Sequence, residues 1–189
     1  MSVVSLIETP ESPELGELYQ QIERATRGLG VLNVFKTMAH TPELMRAWWE
    51  MMSVALSGRL ALSPRLRELA ILRVFQLSGG EYGFAHHVRI AKLAGLTDED
   101  IAALAQYETK GRFSEPERLA LRYTDAVSAL GEGAPGIARQ LLGHLSEREL
   151  VELTFCIANW NLMARLLQPL EIELEPALRE YLPADWQGK

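Results

Sequence analysis

Apolar positions recur along this chain at helical spacing, and no β-branched alternation runs long enough to predict a strand. Leu15, Leu18, Ile22 and Ala25 form the first stripe, ended by Gly28 and Gly30. Thr41-Pro42-Glu43 predicts a second long helix, with threonine as N-cap and proline in the first turn, that passes Trp48 and Trp49 and stops near Ser57-Gly58. Ser63-Pro64 repeats that opening and starts a third. Glu81 to Ala94 reads as the next helix, with Gly95 as a left-handed C-cap. Thr97-Asp98-Glu99-Asp100 carries a threonine cap, acidic first-turn residues and a Leu96/Ile101 staple. Ser114-Glu115-Pro116-Glu117 and Ser146-Glu147-Arg148-Glu149 both read as capping boxes, the second with a Leu145/Leu150 staple. A shorter helix spans about Gly136 to Leu145, and the last long one runs from about Glu147 to Gln168, stopped by Pro169. The predicted class is all-α.

Two ionisable residues interrupt the apolar faces on either side of the Gly79-Gly80 turn. Glu68 shares a face with Ile71, Leu72 and Phe75, and arginines 65, 67 and 73 surround it. His87 lines up with Phe84, Val88, Ala91 and Ala94, and Gly83 and Gly80 remove side chains on the same face. An antiparallel pairing of the two helices sets Glu68 and His87 at similar depth, with a hollow expected beside the imidazole. A carboxylate in an apolar stripe is costly unless paired or protonated. The pair therefore reads either as a buried contact that fixes helix register or as an acid/base couple opening into a pocket. His86, about 100° around the helix beside Tyr82, Arg89 and Ile90, is placed at the boundary. Asn161 and Arg165, one turn apart in the last helix, are candidates to line the pocket and hold an anionic substrate. Trp48 and Trp49 are expected in the core and at subunit contacts.

Composition narrows the function classes. The chain has 189 residues, 48% hydrophobic and 23% charged, enough for one domain with its own core. Expected limits are a loose segment over residues 1–13, a helical domain over 14–182 and a tail over 183–189. Net charge of −6 and a pI of 5.3 argue against nucleic acid and anionic lipid as partners. The longest uncharged, mostly apolar run, Leu153 to Ala164, is shorter than the ~20 residues of a membrane span. The first residues lack the basic start and apolar centre of a secretory signal, and the single cysteine, Cys156, allows no internal disulfide. A cytoplasmic location is expected. Adjacent histidines on a helix do not readily face one metal ion, and His40 and His144 are remote, so neither metal nor cofactor is expected. No Gly-x-Ser-x-Gly elbow or phosphate-binding loop is present.

The same residues resemble the carboxymuconolactone decarboxylase/alkylhydroperoxidase D superfamily. The likeness runs from about Pro42 to Leu170. It is strongest in Arg67-Glu68-Leu69-Ala70-Ile71-Leu72, in Glu81-Tyr82 to His87, and in Ala94-Gly95-Leu96-Thr97-Asp98-Glu99; the helix ending in Asn161 and Arg165 is similar too. The resemblance implies an alkylhydroperoxidase D-like helical bundle that forms homo-oligomers (trimers, hexamers or dimers) with active sites near subunit contacts. In the alkylhydroperoxidase D branch a glutamate precedes a Cys-x-x-Cys pair and a histidine follows it. The glutamate matches Glu68 and the histidine His87, while the cysteine positions fall on Gly80 and Gly83. Both thiols are absent, and thiol–disulfide exchange needs an attacking thiolate and a resolving partner. The decarboxylase branch works without them, on a lactone acid from aromatic-compound breakdown.

The resulting expectation is acid/base chemistry on a small acid or lactone, with Glu68 and His87 catalytic. Tyr82, His86, Asn161 and Arg165 are the substrate-binding candidates. An alkylhydroperoxidase D-like antioxidant, disfavoured by the missing thiols, and a non-catalytic small-ligand-binding oligomer are the alternatives.

Overall fold

Capping chemistry sets most helix starts. The structure, a computed structural model, describes residues 2–26, 28–183 and 186. Its helices are α1 (Pro13–Thr26), α2 (Asn33–Met38), α3 (Pro42–Ala55), α4 (Pro64–Ser78), α5 (Glu81–Leu93), α6 (Asp98–Ala103), α7 (Glu115–Ser128), α8 (Ala134–Leu141) and α9 (Glu147–Leu167). Two 3₁₀ segments, Leu104–Gln106 and Pro176–Tyr181, complete them, and no strand occurs among the described residues. The Ser63 hydroxyl accepts from the Leu66 N–H at 3.2 Å, and Thr97 with Asp100 and Ser146 with Glu149 close reciprocal capping boxes. Thr41 does not cap α3: its hydroxyl donates to the Met38 carbonyl instead, at 3.3 Å. α2 has no side-chain cap and spans only six residues, too few for a periodic stripe to announce it.

α4 is the central rod. Leu66 through Leu72, Val74 and Phe75 are all buried, because α5, α7 and α9 pack around it. A helix enclosed on every side has little amphipathic stripe to display. Gly79, at φ 68°, turns the chain left-handed at the end of α4, so that α5 folds back along it. α9 has the length and hydropathy of a short membrane span, yet its buried residues, Leu153, Cys156, Ile157, Trp160, Met163 and Ala164 among them, form part of the core.

The described segments before α1 and after α9 lie against this bundle. The Val3 N–H donates to the Leu170 carbonyl at 2.9 Å, and the Tyr19 hydroxyl donates to the Ile7 carbonyl at 2.6 Å. Beyond α9, Ile172, Leu174 and Leu178 are buried, which brings Glu175 onto α5. Of the tail expected over 183–189, residues 184, 185 and 187–189 lie outside the described residues; Trp186 packs on Phe84 with ring centroids 4.3 Å apart.

Candidate active site

α4 carries Glu68 inward at 0% exposure, beside the almost equally buried Arg67. The Arg67 Nε donates to Glu68 Oε1 at 2.9 Å, and its Nη1 donates to the Ala55 carbonyl at 3.3 Å. On the antiparallel α5, His87 Nδ1 lies 2.8 Å from Glu68 Oε2. The second imidazole nitrogen is engaged as well: Trp160 Nε1, on α9, lies 2.7 Å from His87 Nε2. An indole N–H can only donate. His87 Nε2 must therefore accept, the ring proton sits on Nδ1, and that proton is donated to the carboxylate. Three helices thus hold a continuous chain, Arg67–Glu68–His87–Trp160, in which every charge has a partner. Pairing of this kind is what allows a carboxylate to sit at full burial.

Phe75 fills the space a side chain would take at Gly80 and Gly83, and Phe75, Gly83 and His87 all border an open cavity, so the hollow expected beside the imidazole is present. A Cβ at Gly83 would fall 2.0 Å from Cζ of Phe75, and one at Gly80 would fall 2.9 Å from its Cδ1. The glycines clear room for the phenylalanine ring, which stacks on His87 with centroids 5.8 Å apart at 29°. The open space borders this stack. A cavity of about 360 Å³ is lined by His87, His86, Tyr82 and Arg89 of α5, by Trp160, Met163 and Leu167 of α9, and by Phe35, Trp48, Trp49 and Met52. Its size and aromatic lining suit one small, flat ligand. Trp48 and Trp49, expected in the core and at subunit contacts, form its wall, each ring packed on Phe35.

A second polar cluster stands at this cavity. Glu175 accepts from the Asn33 N–H (2.7 Å), the Tyr82 hydroxyl (2.9 Å) and His86 Nε2 (2.7 Å). Burial pushes the Glu175 carboxyl up, but the hydrogen bond and charge of His86 and the Asn33 amide outweigh it and hold the group below its ordinary value. Burial, then the Glu175 charge, drive the Tyr82 phenol well above its usual range. With the carboxylate ionised, His86 Nε2 is the donor, and its Nδ1 makes no hydrogen bond among the described residues. His86, placed at the boundary by the sequence reading, thus reaches the same cavity as His87.

Asn161 and Arg165 are placed elsewhere, which corrects the expectation that they line the pocket. Asn161 Nδ2 donates to Ser128 of α7 at 2.9 Å, and Arg165 Nη1 donates to the Asn161 carbonyl and side chain, both at 2.9 Å. They do share a face of α9, but the cavity is met by the face of Trp160, Met163 and Leu167. Sequence reasoning missed Trp160, Glu175 and Arg89. Tyr82, His86 and Arg89 recur at helical spacing, a signal that was available; nothing local marks Glu175, 89 residues beyond His86. No group of three or more His, Cys, Asp or Glu side chains that could hold a metal ion occurs among the described residues.

Comparison with known proteins gives the family and the fold. Residues 42–126 match the sequence model of the Carboxymuconolactone decarboxylase family. The uncharacterized protein YnjA of Escherichia coli (strain K12) is 30% identical over 123 residues, which cover 64% of this chain and 67% of that protein. Among solved structures, ATU0492 from Agrobacterium tumefaciens, a candidate antioxidant defence protein AhpD, is 25% identical with a TM-score of 0.68, covering 74% of this chain and 95% of that one. The debrominase Bmp8, solved as a cysteine-to-alanine variant with 2,3,4-tribromopyrrole, has a TM-score of 0.78 at 21% identity, covering 96% and 97% of the two chains, a likeness of fold. From sequence and fold together, the chain belongs to the carboxymuconolactone decarboxylase family, within the all-helical superfamily that includes the AhpD-like proteins.

Proposed function

We propose that the protein is a decarboxylase-like enzyme that moves protons on a small carboxylated lactone or a related product of aromatic-compound breakdown. One observation carries the reading: two imidazole–carboxylate pairs, Glu68–His87 and Glu175–His86, meet a single aromatic cavity. Paired titratable groups beside a ligand-sized hollow are the usual architecture of proton-transfer sites.

In the reaction, the bond between the carboxylate carbon and its neighbour breaks and carbon dioxide leaves. The bonding pair passes into a conjugated carbonyl as an enolate, and carbon then takes a proton. A histidine supplies that proton and regains one from solvent, so one proton is consumed per turnover. We assign this proton to His86 as the imidazolium: Glu175 accepts from Nε2–H and orients the ring, and Nδ1–H is left for the ligand. His87 reaches the ligand through Nε2 only when the Trp160 N–H turns away, which makes it a fixed dipole at rest and a proton acceptor on opening.

An antioxidant role of the kind named for ATU0492 has little support here. Phe75 occupies the space of the two thiol positions, and Cys156 is 0% exposed with burial pushing its thiol up to about 12.

The test is carbon dioxide release, or loss of ultraviolet absorbance, with 4-carboxymuconolactone and related lactone acids. His86→Gln and His87→Gln are each expected to lower kcat by about 10²–10⁴-fold while the far-ultraviolet circular dichroism is retained. Turnover that survives both substitutions unchanged contradicts the assignment.

A further inference from the structure

We infer that Arg89 is the anion anchor of this cavity, selecting a ligand that joins one carboxylate to a small aromatic or apolar body. The inference rests on the reading of the cavity as the substrate site and adds the residue that sets substrate class.

Charge balance at the cavity singles out Arg89. Each carboxylate at the site is already matched: Glu68 by Arg67 and His87, and Glu175 by His86, Tyr82 and the Asn33 amide. Arg89 is not. It lines the cavity half-buried, yet it makes no ion pair among the described residues, and its one hydrogen bond there runs from Nη2 to the Thr26 carbonyl at 3.2 Å. A guanidinium offers five N–H donors in a planar fork, so most of its donor capacity is unspent. That fork matches a carboxylate in two parallel hydrogen bonds, stronger than neutral ones.

Position supports the same conclusion. Tyr82, His86 and Arg89 stand four and then three residues apart on α5 and so share one face. A carboxylate held at Arg89 leaves the rest of the ligand to lie against the indole and phenyl rings beside both histidines. Among the described residues the site therefore holds one guanidinium without a carboxylate partner at an apolar hollow, the complement of an aromatic or lactone monoanion. Arg165, the arginine singled out from sequence, is exposed and folded back on Asn161.

Isothermal titration calorimetry of the full chain with 4-ethylbenzoate and its neutral isostere 4-ethylbenzamide tests the assignment. The wild-type protein is expected to bind the acid about tenfold or more tightly than the amide. Arg89→Gln should bring the acid down to the level of the amide and leave the amide unchanged, whereas Arg165→Gln should behave as wild type. Arg89→Lys, which keeps the charge and loses the fork, should weaken the acid severalfold, and it decides the matter alone if Arg89→Gln does not fold. The anchor is wrong if acid and amide bind the wild type alike, or if the preference for the acid survives both Arg89 variants; the cavity then remains a ligand site without it. If neither the acid nor the amide binds at millimolar concentration, both the anchor and the proposed substrate site are overturned.

Discussion

Glu68→Gln is expected to cost about 3–5 kcal/mol of unfolding free energy, because removing one member of a buried pair strands the other. The side chain is 0% exposed and is the carboxylate partner of Arg67, itself 5% exposed. Glutamine keeps the shape and can still accept from His87 Nδ1–H, but it cannot balance a guanidinium. Urea titration followed by tryptophan fluorescence measures the loss. The double variant Arg67→Met/Glu68→Gln should be more stable than Glu68→Gln alone, since it removes the stranded charge. A double variant less stable than Glu68→Gln would show that Arg67 acts chiefly through packing and not through its charge.

Gly83→Ala is the second large effect. Its methyl would fall 2.0 to 2.4 Å from three atoms of the Phe75 ring, which is itself 2% exposed and stacked on His87. The ring borders the cavity, but turning it away would break its stacking on His87. Overpacking costs about 1–3 kcal/mol, and an overlap as short as this one belongs at the upper end. Shortening the ring should relieve it: Gly83→Ala/Phe75→Leu should lose less stability than the two single changes added together. Strict additivity would mean that the ring and the glycine do not meet. The same contact bears on chemistry. Restoring cysteines at 80 and 83 should not restore a working thiol pair while Phe75 remains, because their β-carbons would occupy the ring's space.

Much of the scaffold was legible because its signals are local. Ser63-Pro64, Thr97 with Asp100, and Ser146 with Glu149 start helices where the sequence places them, each through a hydrogen bond within a few residues. Local reasoning failed where a neighbour outbid it, as at Thr41, whose hydroxyl turned to the Met38 carbonyl. Glu68 and His87 were visible as ionisable residues on apolar faces, and the structure joins them at 2.8 Å. The hollow expected beside His87 is there, with Gly83 in its lining, but a missing side chain does not reveal that Phe75 takes the place of its β-carbon. Trp160 and Glu175 come from 73 and 89 residues along the chain, and only tertiary packing brings them to α5. Asn161 and Arg165 show the reverse error: a shared helix face was right, but periodicity does not say which neighbour that face meets.

The central claim is that His87 is held as the neutral Nδ1–H tautomer between Glu68 and Trp160 while it and His86 look into one ligand cavity. A long-range proton–nitrogen correlation spectrum of the ring nitrogens of the four histidines tests it directly. The account predicts an Nδ1-protonated, Nε2-accepting pattern for His87 that changes in Trp160→Phe. It also predicts that added 4-ethylbenzoate shifts His86 and His87 and leaves His40 and His144 in place. An imidazolium or Nε2–H pattern for His87, or a bound acid that moves neither His86 nor His87, would contradict it.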